Sequence, residues 1–186
     1  MCSVESLGKT AAGVRLRGDE ELRLHHIGIA VNNLPEAVEV YRQILNIRKE
    51  QRLEVPSEKI RTSLLWLEEG MIELMEPQED AGPVAHFLKS RGPGLHHIAV
   101  TVDDLDRALA ELRSRGFEVV PPTVRIGVLR DRVAFIHPRS AKGVLVELCE
   151  HPRRAAKRRG LRLTGKGGPP SHYRSSPDSE TETLTR

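Results

Sequence analysis

The sequence predicts an α+β fold in which two βαβββ modules follow one another. The phrase "LHHIGIAVNNL" at residues 24–34 recurs as "LHHIAVTVDDL" at residues 95–105. Each copy runs into a segment whose apolar residues recur with a helical period of about 3.6, and short apolar runs typical of strands follow. A repeat of this length indicates two modules that share one core, since neither closes its own.

Each module can be divided into its elements from the sequence. The first module, residues 22–80, contains a strand in "LHHIGIAV", a helix over "NNLPEAVEVYRQIL" and a hairpin of "TSLLWLEEG" with "MIELMEP". The second, residues 93–150, contains a strand in "LHHIAVTV", a helix over "DDLDRALAELRSRG" and strands in "FEVV", "RVAFIHP" and "GVLVELCE". Asn32 or Asn33 is expected to cap the first helix, and Asp103 or Asp104 the second.

The charge of the chain is unevenly distributed. Nine of the 29 Lys/Arg residues and three of the 26 Asp/Glu residues lie in residues 151–186, so residues 1–150 carry 20 basic and 23 acidic side chains. The last segment is also rich in Arg, Gly, Ser and Pro, which predicts a basic, disordered tail. We predict a second disordered extension at residues 1–21, which leaves a domain at residues 22–150. A nucleic-acid partner is not expected, because the basic character is confined to the tail.

Cysteine content and hydropathy limit the class of protein further. Cys2 and Cys149 lie at opposite ends of the chain, so they form neither a disulfide framework nor a paired zinc–thiolate motif. The N-terminal segment lacks the apolar stretch of a secretory signal, and no run approaches the roughly 18 apolar residues of a membrane helix. We therefore expect a cytoplasmic protein that does not bind membranes. Its core is expected to be aliphatic, since aromatic residues make up 3% of the chain.

The repeated strands place a histidine beside small residues. Side chains alternate between the two faces of a strand, so His26 and His97 each share a face with every second residue after them. Those neighbours are small in both copies: Gly28, Ala30, Ala99 and Thr101. A packed core would fill the space that they leave. His25 and His96 alternate to the opposite face, where we expect a supporting or structural role.

Two glutamates complete the repeated pattern. Glu73 in "MIELMEP" and Glu147 in "VLVELCE" each lie between large apolar residues, where a carboxylate is costly unless it is paired or binds a metal. Taken singly, a strand histidine is more often structural and a strand glutamate more often faces water. The repetition favours instead a divalent-metal site with ligands His26, Glu73, His97 and Glu147. Such ligands suit Co, Mn, Zn, Ni or Fe(II), and Glu73 is the least required of the four.

At these residues the chain resembles the vicinal oxygen chelate (glyoxalase/dioxygenase) superfamily and, within it, the methylmalonyl-CoA epimerase family. The resemblance covers residues 22–150 and rests on "HHIGIAVNNLPEAVEVYRQIL", "IELMEP", "GPGLHHIAVTVDDLDRALAELRSRG" and "FIHPRSAKGVLVELCE". It implies a curved mixed sheet around a metal that is bound by His26, His97 and Glu147, with Glu73 completing the set. It also implies an isomerase of propionate metabolism that epimerises methylmalonyl-CoA or a close acyl-CoA, and it is compatible with a homodimer.

The implied reaction needs two acid/base groups on opposite faces of the substrate. A metal at this site would stabilise the negative charge left on the substrate when the α-proton leaves, and the resemblance implies Glu147 as one base. Relatives carry another glutamate after a proline that precedes the hairpin. Here "EVPSEK" has Ser57 at that position, and serine is a poor base near neutral pH. We therefore expect Glu58, with Glu54 in reserve; the alternative is that both are surface charges.

Other interpretations stay open at this stage. The segment "IGVLRDRV" replaces a Gly-rich loop of relatives, so that Arg130 or Arg132 could contact a CoA phosphate, although solvated surface arginines are the simpler interpretation. A glyoxalase I-like isomerase of a thiol–aldehyde adduct would need the same four ligands. An Fe(II) ring-cleaving dioxygenase is less consistent with a fourth ligand, and a non-catalytic binding protein of the same fold usually lacks the ligand set.

Overall fold

Eight strands and three helices make up residues 23–150, the part of the chain that the computed structural model describes. The strands are β1 (Arg23–Ala30), β2 (Glu50–Val55), β3 (Ile60–Trp66), β4 (Met71–Pro77), β5 (Gly94–Thr101), β6 (Arg125–Ile126), β7 (Arg132–Ile136) and β8 (Leu145–Glu150). The helices are α1 (Leu34–Leu45), α2 (Pro83–Arg91) and α3 (Leu105–Ser114). The predicted α+β class is confirmed. The predicted extensions at residues 1–21 and 151–186 lie outside the described residues.

The strands form one curled mixed sheet in the order β2-β3-β4-β1-β5-β8-β7-β6. The first strands of the two modules, β1 and β5, pair antiparallel in its middle. On either side, β1 pairs parallel with β4, and β5 pairs parallel with β8. Outward from the β1–β5 pair, which we call the β1–β5 seam, the two halves of the sheet therefore have the same strand order, as the repeat predicts.

The helices begin where the sequence signals them. Asn33 Oδ1 accepts a hydrogen bond from the backbone N–H of Glu36 at 3.1 Å, and Asp104 Oδ1 accepts one from Arg107 at 3.0 Å. Each bond satisfies an N–H of the first helical turn that has no partner within its helix. The two caps therefore fix the residues at which α1 and α3 begin.

The apolar sides of α1 and α3 cover one face of the sheet. Around α3 the buried cluster is Val102, Leu105, Ala108, Leu109, Leu112, Ala134, Ile136 and Leu148; around α1 it is Val31, Leu34, Val38, Ile47, Leu65, Ile72 and Leu74. Leu74 and Leu105 are fully buried, so truncating either to alanine would cost about 2–5 kcal/mol. Helices α1 and α3 leave the other face of the central strands to a site, beside which Val84 of α2 packs against Ala30 and Met75.

Four elements differ from the sequence prediction, among them the two-residue strand β6, which was not assigned. Helix α2 was not assigned, although it starts at Pro83 after a glycine and is followed by Gly92. Strand β2 was not located individually. The predicted strand "FEVV" forms one isolated bridge, Val119 to Ile136, because two prolines follow it and cannot donate to a ladder. None of the helices between residues 23 and 150 is long and apolar enough to cross a membrane.

Candidate metal centre

Four adjacent strands in the middle of the sheet each contribute one side chain to a common point. His26 comes from β1, Glu73 from β4, His97 from β5 and Glu147 from β8. The residues are 3–7% exposed. The register explains their meeting, because Gly28 pairs with both Glu73 and His97, while Ala99 pairs with both His26 and Glu147.

The four side chains lie within ligand distance of one another. His26 Nε2 is 2.7 Å from His97 Nε2 and 3.3 Å from both Glu73 Oε2 and Glu147 Oε2. His97 Nε2 is 3.1 Å from Glu147 Oε2 and 3.9 Å from Glu73 Oε2. His26, His97 and Glu147 can therefore each offer one ligand atom to the same ion, and Glu73 adjoins them.

The electrostatics of the cluster call for a buried positive charge. Burial alone lowers the pKa of His26, but hydrogen bonds and charges of Glu147 and Glu73 outweigh burial and raise it to about 10. Burial raises the pKa of Glu147, whereas hydrogen bonds from both imidazoles hold it well below its usual range. The pKa of Glu73 is lowered by His26 in the same way, against burial. Two carboxylates thus hold a proton on the His26 imidazole at neutral pH, at a point where a divalent cation also fits.

Gly28 provides the space for one of the imidazoles. A Cβ at this position would lie 2.1 Å from His97 Cε1 and 2.4 Å from Nδ1. No side chain larger than hydrogen is therefore compatible with the present position of the His97 ring. Gly28 is therefore small because the His97 ring lies so close to it. The space that it leaves and the imidazole and carboxylate donors of the cluster together fit a metal ligated by nitrogen and oxygen.

A mainly apolar cleft opens above the cluster. It encloses about 990 Å³, counting the part that is open to solvent. Its walls come from both modules and include Leu64, Met75, Ile126, Val133 and Phe135. A cleft of this kind with a few convergent polar groups is the usual form of a small-molecule site.

His25 and His96 do not turn away from the site, so the predicted alternation was wrong for both. Each lines the cleft, and each touches its neighbour: His25 Nδ1 is 2.8 Å from His26 Nδ1, and His96 Nδ1 is 2.9 Å from His97 Nδ1. The β1–β5 register skips His25 on one strand and His96 on the other. These β-bulges aim both extra residues towards the site.

Three further residues of the site were missed. Asp131 and Cys149 line the cleft, and Thr62 Oγ1 lies 3.1 Å from Glu73 Oε1. Cys149 follows Glu147 by two positions on β8, so strand alternation could have found it. Burial, followed by the charge of Glu147, raises the pKa of its thiol well above the usual value. Asp131 precedes β7 in a turn and gives no periodic signal.

The residues considered for a second base differ in their access to the cleft. Glu58 lines the cleft from the turn between β2 and β3, and its Oε1 is 3.6 Å from Arg125 Nη1. Ser57 and Glu54 are exposed. Of the three residues, Glu58 is the one that lines the cleft.

The two arginines considered for a CoA phosphate have different surroundings. Arg132 Nη1 is 2.5 Å from the buried Glu150, and Nη2 is 2.7 Å from Asp106. The hydrogen bond to Asp106 is the main cause that raises its pKa. Arg132 is thus held in structural ion pairs, while Arg130 is exposed in a turn. Arg125, which the sequence did not single out, is the arginine that lines the cleft.

Two βαβββ modules around a buried His/Glu cluster are the features by which the protein can be classified, and comparison with protein-family models gives the class. The model of the Glyoxalase/Bleomycin resistance protein/Dioxygenase superfamily matches residues 25–135, more than half of the chain. The chain belongs to this superfamily. The predicted resemblance is thereby confirmed.

Similar proteins narrow the comparison further. Mitochondrial methylmalonyl-CoA epimerase of Dictyostelium discoideum is 35% identical over 129 residues, which are 69% of this chain and 78% of that protein. The crystal structure of methylmalonyl-CoA epimerase from Mycobacterium tuberculosis matches with a TM-score of 0.66 and 39% identity, covering 72% of this chain and 91% of that one. A variant of the Streptomyces coelicolor enzyme, in complex with 2-nitronate-propionyl-CoA, matches with a TM-score of 0.66 and 30% identity, covering 70% and 97%. These relatives are isomerases, which confirms the predicted enzyme class.

Proposed function

We propose that this chain is a metal-dependent epimerase of methylmalonyl-CoA or a close acyl-CoA. The observation that carries the proposal is the buried cluster of His26, Glu73, His97 and Glu147 at the floor of an apolar cleft. Relatives with this fold are named for that reaction, and the structure of one of them is a complex with 2-nitronate-propionyl-CoA. The metals that suit the donor set are Co, Mn, Zn and Ni.

The substrate has an acidic hydrogen between a carboxylate and a thioester carbonyl. The four residues would hold a divalent metal, whose positive charge would stabilise the negative charge that develops on the substrate oxygens. Both imidazoles would offer Nε2 as a neutral ligand, and both carboxylates would balance the charge of the ion. The apolar walls of the cleft exclude water and so strengthen these interactions.

We assign Glu147 as the carboxylate that exchanges the α-proton on one face of the substrate. It lies in the cluster itself, so a substrate held there comes within its reach. For the opposite face we assign Glu58, which lines the cleft from the other module. Inversion then follows when one carboxylate takes the proton and the other returns one.

Solvent deuterium exchange tests the proposal. Purified protein is incubated in D₂O with each of the four metals and a panel of methylmalonyl-CoA, ethylmalonyl-CoA and malonyl-CoA. We expect deuterium at the α-carbon and inversion of a single methylmalonyl-CoA epimer. Absence of exchange with every metal would overturn the proposal. Parallel assays with a glutathione hemithioacetal, and for oxygen uptake with Fe(II), identify the glyoxalase and dioxygenase alternatives.

A non-catalytic binding protein is distinguished by metal content. His26→Ala and His97→Ala are each expected to lose the ion together with exchange activity. Wild-type protein that holds an acyl-CoA without exchange would favour the binding function.

A further inference from the structure

A buried carboxylate of the second module contacts the histidine that precedes a proposed metal ligand in the first. Asp131 is 2% exposed, and its Oδ2 lies 2.9 Å from His25 Nε2. Its Oδ1 is buried without a hydrogen-bond partner among residues 23–150. Burial of a partly satisfied carboxylate is costly, so its presence beside the site calls for a role.

The chemistry of the partners assigns the proton positions along this contact. A carboxylate only accepts hydrogen bonds, so His25 donates its Nε2–H to Asp131. In the tautomer that donates from Nε2, the Nδ1 of His25 carries no proton and accepts the hydrogen bond that joins it to His26 Nδ1 at 2.8 Å. His26 accordingly keeps a proton on Nδ1. Its Nε2, which faces His97, Glu73 and Glu147, is the nitrogen that an ion would bind in place of a proton.

The other half of the seam provides an internal comparison. His97 contacts His96 through the same pair of atoms, Nδ1 to Nδ1, at 2.9 Å. The ring of His96 then packs edge-on against Phe87, with 5.0 Å between centroids. Phe87 therefore takes the place in the second half that Asp131 takes in the first. Of the two proposed histidine ligands, His26 is the one whose neighbouring histidine contacts a carboxylate.

We propose that Asp131 is a positioning residue for metal binding, acting through His25 to present the Nε2 lone pair of His26. The inference rests on the proposed function, because the group presented to the ion belongs to the assigned ligand set. Asp131 lies on the second module and His25 on the first, so the contact also ties the orientation of a β1 ligand to the turn before β7. Residues that hydrogen-bond to metal ligands in this way commonly affect affinity by roughly 10- to 100-fold.

Two measurements test the proposal. The first is the tautomer of His25 in metal-free protein, read from ¹⁵N chemical shifts of its ring nitrogens. The second is the dissociation constant of Zn(II) and Co(II), measured by competition with a chelator. Asp131→Ala removes the acceptor, and Asp131→Asn removes the charge at nearly constant size. Asp106→Asn removes another carboxylate of the second module, one that pairs with Arg132 rather than with His25, and serves as the control.

We expect Asp131→Ala to mix the two His25 tautomers and to weaken metal binding roughly 10- to 100-fold. Asp131→Asn is expected to act in the same direction, and Asp106→Asn to change neither quantity. Wild-type metal affinity and an unchanged His25 tautomer in both Asp131 variants would overturn the inference. If the wild type exchanges no substrate proton while its His25 tautomer still depends on Asp131, the proposed function fails and the positioning contact stands.

Discussion

Gly28 on β1 lies opposite His97 on β5, and a methyl group at position 28 would lie 2.1 Å from His97 Cε1. Real side chains do not tolerate that separation, so Gly28→Ala must displace the imidazole. We expect the variant to fold and to bind Co(II) at least tenfold more weakly than the wild type. Chelator competition gives the affinity, and circular dichroism checks the fold. An unchanged affinity would show that the ring has another usable position.

Removing the metal is expected to destabilise the protein. An ion that binds only the folded state, at a free concentration of 100 times its dissociation constant, adds about 2.7 kcal/mol to the free energy of unfolding. Thermal unfolding with and without EDTA measures the difference, and His97→Ala should remove most of it. A similar metal-dependent shift in His97→Ala would place the ion elsewhere.

Metal binding should release a proton. The carboxylates of Glu147 and Glu73 outweigh burial and raise the pKa of His26 from 6.5 to about 10, so an ion at neutral pH must displace that proton. Affinity is then expected to rise about tenfold per pH unit between pH 7 and 9. Calorimetry in buffers with different ionisation enthalpies should count about one proton released per ion. A release of zero would contradict a protonated His26.

The same shift has a consequence for metal-free protein. Because the folded-state pKa of His26 is raised, its contribution to stability is complete below about pH 6.5 and is lost as the pH rises towards 10. Denaturant unfolding across this range, with His26→Gln as the reference, isolates the contribution. If the difference in unfolding free energy between the wild type and His26→Gln did not change with pH, a raised pKa of His26 would be excluded.

Two bases on opposite faces predict complementary defects. Glu58→Gln should still exchange the α-hydrogen of one methylmalonyl-CoA epimer with D₂O but should invert it 10²- to 10⁴-fold more slowly. Glu147→Gln should block exchange of that same epimer. Chiral analysis of the deuterated product separates exchange from inversion. If Glu58→Gln inverts at the wild-type rate, Glu58 serves only as the partner of Arg125, and Glu73→Gln becomes the next variant to measure.

Strand alternation predicted one set of histidines correctly and failed for the other. It placed His26 beside Gly28 on the face that became the cleft, because both residues lie in regular β geometry. It failed at His25 and His96 because each is the extra residue of a β-bulge, and a bulge interrupts the two-residue period. Hydropathy carries no signal for a bulge, which depends on how two distant strands register.

Turn residues were the least predictable part of the site. Asp131 approaches His25 only because the turn before β7 folds over the first strand of the other module, a contact between residues far apart in sequence. The proposed second base has the same difficulty: the sequence favours Glu58 over Glu54 because Glu58 adjoins Ser57, but only the folded chain shows that Glu58 lines the cleft. Periodic segments thus located the strands and helices, while the turns required the folded chain.

The two modules meet through the antiparallel pairing of β1 with β5, as two separate polypeptides could. Each module brings one imidazole and one carboxylate, and the chain passes between modules through the exposed residues Asp80 and Ala81. Cleavage between those residues would yield two polypeptides, each with half of the proposed metal ligands. Bound cobalt would then act as a spectroscopic reporter of complementation, since its absorption would develop only after the fragments had found each other.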